Sequence, residues 1–231
     1  MKRPFLLIGA LLLGTAVLAQ AEFGWGVEVY PNYSGRRLVA QSTISREDIN
    51  KLEALESGRL SYTAGLFAQW RGQRAGFQTG LRFMETGYQT IRTNLTADDN
   101  PPEGAEQKRD IYQNLNLEIP AELQFYQQLD DKNHFFFMIG LSLAYNISNY
   151  HNTAFYTGES RDVRREKEDN AAFNSILYSF QSGMGWEHRF SEGFSMVLQP
   201  AFQFWPTALL KENDINRNLY SFGLRLGAKW R

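Results

Sequence analysis

The sequence predicts an all-β protein, an eight-stranded antiparallel transmembrane β-barrel with short periplasmic turns and long extracellular loops. Three observations carry that prediction. Apolar and polar side chains alternate with a period of two in eight separate segments, as they do when a strand shows a different environment to each face. The connections between segments alternate between short and long. Aromatic residues collect at the segment ends.

In chain order, the first segment sets Phe23, Trp25, Val27 and Val29 against Gly24, Gly26 and Glu28. The second sets Leu60, Tyr62, Leu66 and Trp70 against Ser61, Thr63, Gly65 and Gln69, and the third sets Phe77, Leu81 and Phe83 against Gln78, Gly80 and Arg82. In the fourth, Leu115, Leu117, Ile119, Leu123 and Phe125 oppose Asn114, Asn116, Glu118, Glu122 and Gln124. The fifth carries Phe135, Phe137, Ile139, Leu141, Leu143 and Tyr145 opposite Gly140, Ser142, Ala144 and Asn146. Ile176, Tyr178, Phe180, Met184 and Trp186 face away from Ser179, Gln181, Gly183 and Glu187 in the sixth. The seventh pits Met196, Leu198, Phe202 and Phe204 against Ser195, Gln199 and Gln203. The eighth, residues 219–231, separates Tyr220, Phe222, Leu224, Leu226, Ala228 and Trp230 from Ser221, Gly223, Arg225, Gly227, Lys229 and Arg231. An even number of strands brings both ends of the ring to one side.

Short turns are expected at 72–74, around 130–132 and at 191–193, and long loops at about 36–59, 89–110 and 149–172, with a shorter one near 206–217. The first loop allows a short helix, because Ser45 stands three residues before Asp48 and is followed by Ile49, Leu52 and Leu55 at helical spacing. A bulge or local break is expected at Pro120, which has no N–H for the sheet ladder.

Which face meets lipid follows from composition. The polar faces are mostly Gly, Ser, Ala, Asn and Gln with isolated charges, which suits the narrow interior of eight strands better than a water-facing surface. Trp25, Trp70, Tyr126, Trp186 and Trp230 fall at the short-turn ends, and Tyr33, Tyr88, Tyr112, Tyr150, Trp205 and Tyr220 at the long-loop ends. Two aromatic belts at two bilayer interfaces are the expectation. A mean hydropathy of −0.43 excludes a bundle of membrane helices but not a barrel, in which only alternate residues meet lipid.

The bulk numbers agree. The 231 residues suffice for one domain. The net charge of −1 predicts no nucleic-acid partner, and the absence of cysteine rules out disulfides, thiolate metal sites and cysteine nucleophiles. The N-terminus reads as a secretory signal: Lys2 and Arg3, an apolar run over 5–18, then Ala19, Gln20 and Ala21. That run, about 14 residues, is short of the ~20 a spanning helix needs. Cleavage is expected at about Ala21, leaving residues 22–231 as the barrel domain in the outer membrane.

The segment YTAGLFAQWRGQRAGFQTGLRFMETGYQT resembles the second hairpin of the PorT-like outer-membrane β-barrel family of Bacteroidetes. NLNLEIPAELQFY, with Leu117-Glu118-Ile119-Pro120, is similar to that family's Leu-Glu-Ile-Pro strand, FFFMIGLSLAYNIS to the strand after it and NRNLYSFGLRLGAKWR to its closing strand. The resemblance implies an outer-membrane location, lipid and lipopolysaccharide as surroundings, and the barrel-assembly machinery as a partner during biogenesis. Such barrels commonly end in an aromatic residue, whereas here Trp230 is followed by Arg231.

The face assigned to the lumen carries Glu28, Glu118, Glu122 and Glu187 with Arg82, Arg189, Arg225 and Lys229, which are expected to pair and fill the interior. Glu118 and Glu122 stand roughly 13 Å apart on one strand face, too far for a shared-proton dyad. His134, His151 and His188 are scattered, with no metal-ligand spacing, and no cofactor motif appears. His151, near Ser148 and Thr153, is the one residue toward which a lipid A-modifying enzyme could be read, but no catalytic motif accompanies it. The expected role is therefore non-catalytic: interaction with a protein, lipopolysaccharide or glycan through loops 36–59, 89–110 and 149–172. Narrow-pore transport or a secretion-accessory part is the alternative.

Overall fold

A strand that is apolar on one face still exposes backbone N–H and C=O groups along both edges. In lipid those groups can be satisfied only if the sheet closes. The computed structural model, which describes residues 21–40, 44–97, 99–211 and 214–231, closes it. In chain order the elements are β1 (Glu22–Ala40), α1 (Arg46–Leu55), β2 (Glu56–Ser57), β3 (Arg59–Arg71), β4 (Ala75–Thr90), β5 (Thr93–Asn94) and β6 (Gln107–Gln128). β7 (Asn133–Thr157), β8 (Ser160–Lys167), a 3₁₀ turn (Asn170–Ala172), β9 (Ile176–Ser191), β10 (Phe194–Ala208) and β11 (Ile215–Trp230) follow. Eight of these form the ring β1–β3–β4–β6–β7–β9–β10–β11, antiparallel throughout, and β11 pairs back onto β1 from Trp25 opposite Trp230 to Ala40 opposite Ile215. The expected signal segment lies, apart from Ala21, outside the described residues.

Burial is inverted relative to a water-soluble barrel. Leu141 is 64% exposed and Leu66 61%, while Glu122 and Gln181 are fully buried. The greasy face points outward. Among the described residues no helix is long and apolar enough to cross a membrane.

The strands run further than the alternation predicts. Residues 36–40 belong to β1, 107–110 to β6 and 149–157 to β7, and β8 folds back along the top of β7. The loops expected over 36–59, 89–110 and 149–172 are therefore partly sheet. Above the lipid both faces meet polar surroundings, so pairing continues without any alternation to announce it. The helix expected after Ser45 is present: Ser45 Oγ accepts from the Asp48 amide at 3.2 Å, and Ile49, Leu52 and Leu55 are half-buried against the rim.

Pro120 makes no bulge. Its register against β7 is continuous, opposite Ser142, and the β4 register is the same on either side of it. Only the β4 side of the ladder is interrupted, and there Thr79 Oγ1 donates to the Pro120 carbonyl at 2.6 Å. The irregularity lies instead between Leu115 and Asn116, opposite Ile147. One extra residue in β7 reverses its phase, so Asn149, His151 and Thr153 stand opposite Asn114, Tyr112 and Asp110.

Candidate functional site: the filled lumen and its extracellular mouth

Inward-facing side chains fill the barrel in tiers. At the waist, Arg82 pairs with Glu28, with Glu122 at 2.7 Å and with Glu118 at 3.7 Å, all buried. Arg225 reaches Glu122 at 2.8 Å and Glu28 at 3.9 Å. Both guanidiniums donate to Gln181 Oε1, at 3.2 and 3.1 Å. Two cations thus serve three carboxylates. Glu118 makes up the difference with neutral donors, accepting from Ser142 at 2.5 Å, from Gln181 at 3.3 Å and from Gln203. Such a lattice is costly to desolvate and costlier to break, because each removed partner strands a buried charge.

Below it, Glu187 is surrounded by Lys229 at 2.6 Å, Arg71 at 3.0 Å and Arg231 at 3.1 Å, and Arg231 also reaches Glu22 at 3.1 Å. Gln69, Gln78, Gln124 and Tyr126 form a hydrogen-bonded set beside them, with Arg71 stacked 3.9 Å over the Tyr126 ring. Phe67 and Phe136 cross the lumen between these tiers. Gly26 and Gly185 make room for them: a Cβ would stand 2.4 Å from the Phe67 ring and 2.0 Å from the Phe136 ring. The void left beside them, lined by Glu28, Gln124, Arg225 and Lys229, measures about 10 Å³. That is room for about one water.

Arg189 is the exception among the lumen charges read from the sequence. It is half-buried at the short-turn mouth, where with Arg71, Arg74 and His134 it lines an open bowl, and it makes no ion pair among the described residues. It sits two residues beyond Glu187, past the last filled tier, where Arg71, Lys229 and Arg231 already surround the carboxylate. Arg71 and Arg231 stand outside the charge set read from the sequence, although Arg231 falls on the polar face of the closing strand and Arg71 alternates inward with Gln69.

The aromatic belts need a similar correction. Trp25, Trp70, Trp186 and Trp230 lie on the outer face, with Trp25 stacked on Trp230 at 5.0 Å, and Tyr33 and Tyr220 are half-buried on the outer face at the other end, while Tyr150 is half-buried at the mouth. Tyr126, Tyr88, Tyr112 and Trp205 point inward. Parity is the reason: Tyr112 and Tyr126 share the face of Glu118 and Glu122, Tyr88 that of Arg82, and Trp205 that of Gln199 and Gln203.

Above the waist, amides replace charges. Asn114 donates to Asn149 at 2.6 Å, Asn146 to Asn116 at 2.9 Å, and Asn149 to Asn146 at 2.7 Å and to Asn170 at 3.1 Å. Met84, Tyr88, Phe173, Leu177, Trp205, Leu209 and Leu219 cap them as an apolar plug. At the rim, Glu56 binds Arg36 at 2.6 Å and Arg217 at 2.7 Å, and Arg36 also donates to the Leu52 carbonyl of α1 at 2.9 Å. Nothing in the sequence marks Glu56 beyond its place just after the helix.

His151 stands above the lipid-facing band, stacked on Tyr112 at 4.7 Å, with Nε2 2.9 Å from Asp110 Oδ1. That hydrogen bond raises the imidazole above its ordinary pKa and lowers the Asp110 carboxyl below its own. Thr153 donates to the same Asp110 oxygen at 3.1 Å, so its hydroxyl is bonded to the carboxylate and not to the ring. Beside this group, Tyr88, Tyr112, Asn114, Tyr150, Glu168, Asp169, Phe173, Leu209 and Leu210 line a cavity of about 350 Å³.

A solved barrel shares this architecture. The chain is similar to Neisserial surface protein A over 91% of its own length and 97% of that chain, at 8% identity and a TM-score of 0.50. Outer membrane protein OprG from Pseudomonas aeruginosa (10% identity, TM-score 0.39, 90% of this chain and 94% of that) is another similar structure. So is Ail of Yersinia pestis (10%, 0.35, 90% and 99%). At these identities the likeness bears on the fold alone. No curated protein matches the sequence. The model of the outer membrane protein beta-barrel domain matches residues 18–203, and the chain belongs to that family, a small β-barrel of the cell outer membrane.

Proposed function

We propose that this barrel is a sealed, non-catalytic interaction protein that acts through its extracellular loops on a partner protein, lipopolysaccharide or a surface glycan. The observation that carries this reading is the packed lumen, in which Arg82 and Arg225 tie three strand carboxylates together above a void of only about 10 Å³. Eight strands enclose room for side chains and little else. What remains for function is the rim, where α1, the β7–β8 hairpin and residues 91–97 and 99–106 stand clear of the lipid. The Leu117-Glu118-Ile119-Pro120 run supports placement in the PorT-like branch of Bacteroidetes, and the basic–apolar–small N-terminus supports export with cleavage at about Ala21 and insertion by the barrel-assembly machinery.

The test combines two readings on the full chain. In planar bilayers it is expected to give no steady conductance. From cells, it is expected to co-purify with a partner that is lost when 160–167 is replaced by a short turn. Steady ion currents would move the assignment to narrow-pore transport, and a change in lipid A mass that disappears with His151→Ala would move it to a lipid A-modifying enzyme.

A further inference from the structure

We propose that the cavity at the extracellular mouth binds a small protonated amine carried on an apolar body. The inference deepens the interaction role proposed above and rests on it, since it names the ligand chemistry of the outward face.

The shape comes first. At about 350 Å³ the cavity is at the small end of ligand pockets, with Tyr88, Tyr112 and Tyr150 on the barrel side and Phe173, Leu209 and Leu210 on the loop side. An apolar body of a few carbons beyond the amine fits such walls.

The polar groups decide the rest, and they are acceptors. Asn114 is only 2% exposed, yet its Oδ1 has no donor among the described residues. Its orientation is set by the neighbouring amides. The Asn114 Nδ2 donates to Asn149 Oδ1, and the Asn149 Nδ2 is committed to Asn146 and Asn170, so the Asn114 carbonyl is the atom left over. Glu168 is half-buried on the same cavity, and its carboxylate has neither an ion pair nor a hydrogen bond among the described residues. Burial holds that carboxyl above its ordinary pKa, the nearby His151 offsetting this only in part. Asp169 spends one oxygen on the Ala171 amide, at 2.9 Å.

Three nearby cations are engaged elsewhere: Lys211 donates to the Ala171 carbonyl at 2.9 Å, Arg217 is paired with Glu56, and His151 with Asp110. Arg165 stacks 3.8 Å over the ring of Tyr150, a cavity wall, and is absent from the residues that line the cavity. An anion would meet Glu168 and Asp169. A neutral hydrocarbon would bury Asn114 Oδ1 and Glu168 without partners, which is unfavourable for each group. An ammonium supplies both the missing donors and the missing charge.

The experiment titrates phenethylamine, and its neutral counterpart 2-phenylethanol, into the detergent-folded full chain by calorimetry at pH 7. Saturable binding of the amine is expected, at least ten-fold weaker for the alcohol and at least ten-fold weaker in Glu168→Gln. Leu210→Trp, which fills the cavity from its loop wall, is expected to abolish binding of both. Absence of saturable amine binding, equal affinity for the alcohol, or an unchanged Glu168→Gln would overturn the proposal. A heat-modifiable gel band confirms folding of each variant. Displacement by Nα-acetyl-lysine amide would assign the natural amine to a protein side chain, and failure to displace would assign it to a free small molecule. Both results uphold the site. Amine binding lost with partner capture intact removes this inference alone, whereas capture lost with amine binding intact removes the loop-mediated role alone.

Discussion

Arg82 shows how much a single residue decides in a lumen this narrow. It is 1% exposed and touches three carboxylates, so Arg82→Ala leaves Glu28 and Glu118 with little compensation and Glu122 with Arg225 alone. Breaking a buried pair in this way costs about 3–5 kcal/mol. Urea unfolding in detergent, followed by the loss of gel band shift, is expected to register that cost. Adding Glu28→Gln and Glu118→Gln is expected to recover much of the loss, because the two stranded carboxylates are neutralised while Glu122 keeps Arg225. If Arg82→Ala unfolds at the same urea concentration as the parent, the waist is not the stabilising lattice described. The eight-residue charge set was mostly legible from parity, and Arg189 failed because parity says which way a side chain points but not how far down the barrel the packing extends. The aromatics teach the converse lesson. Tyr112 and Tyr126 were grouped by their position at strand ends, while their even numbering on β6 already placed them inward.

Among elements, β7 carries the least predictable feature. The extra residue at Ile147 turns His151 toward Asp110, and no residue type in SNYHNT announces it. The pair it creates is pH-dependent in a defined window. His151 is raised in the fold, so its contribution is complete below the ordinary imidazole value and is lost as pH climbs through the raised one. Asp110 is lowered, so its contribution is complete above the ordinary carboxyl value and is lost as pH falls through the lowered one. The pair therefore holds the outer end of β6 to β7 best between about pH 4 and 6.5. An NMR titration of the His151 ring is expected to give a midpoint above that of a free imidazole, moving down in Asp110→Asn. A midpoint that ignores the substitution would show that the hydrogen bond is absent in solution. Helix α1, by contrast, was readable, since its cap and its three apolar positions lie within eleven residues of one another. The upward extensions of β1, β6 and β7 were not, because paired backbone in polar surroundings leaves no trace in the side-chain pattern.

For the whole molecule, closure is the property that matters, and it was legible because it needs only an even set of alternating segments. The unboiled chain in detergent is expected to migrate as a compact species and to shift on boiling, in contrast to an unshifted band for a chain truncated before 215. Equal mobility of the boiled and unboiled full chain would count against a closed ring. The seam between β1 and β11 joins residues from the two ends of the chain, so it is the contact with the greatest loop to close during folding. It is also fastened at both ends: Trp25 stacks on Trp230 at one, and Glu56 draws Arg36 of β1 and Arg217 of β11 together at the other. A ring whose longest-range joint is clasped top and bottom offers no fraying corner from which to unzip. Removing either clasp, by Trp25→Ala or Glu56→Gln, is expected to speed opening of the ring, read as a faster loss of the compact gel band in urea.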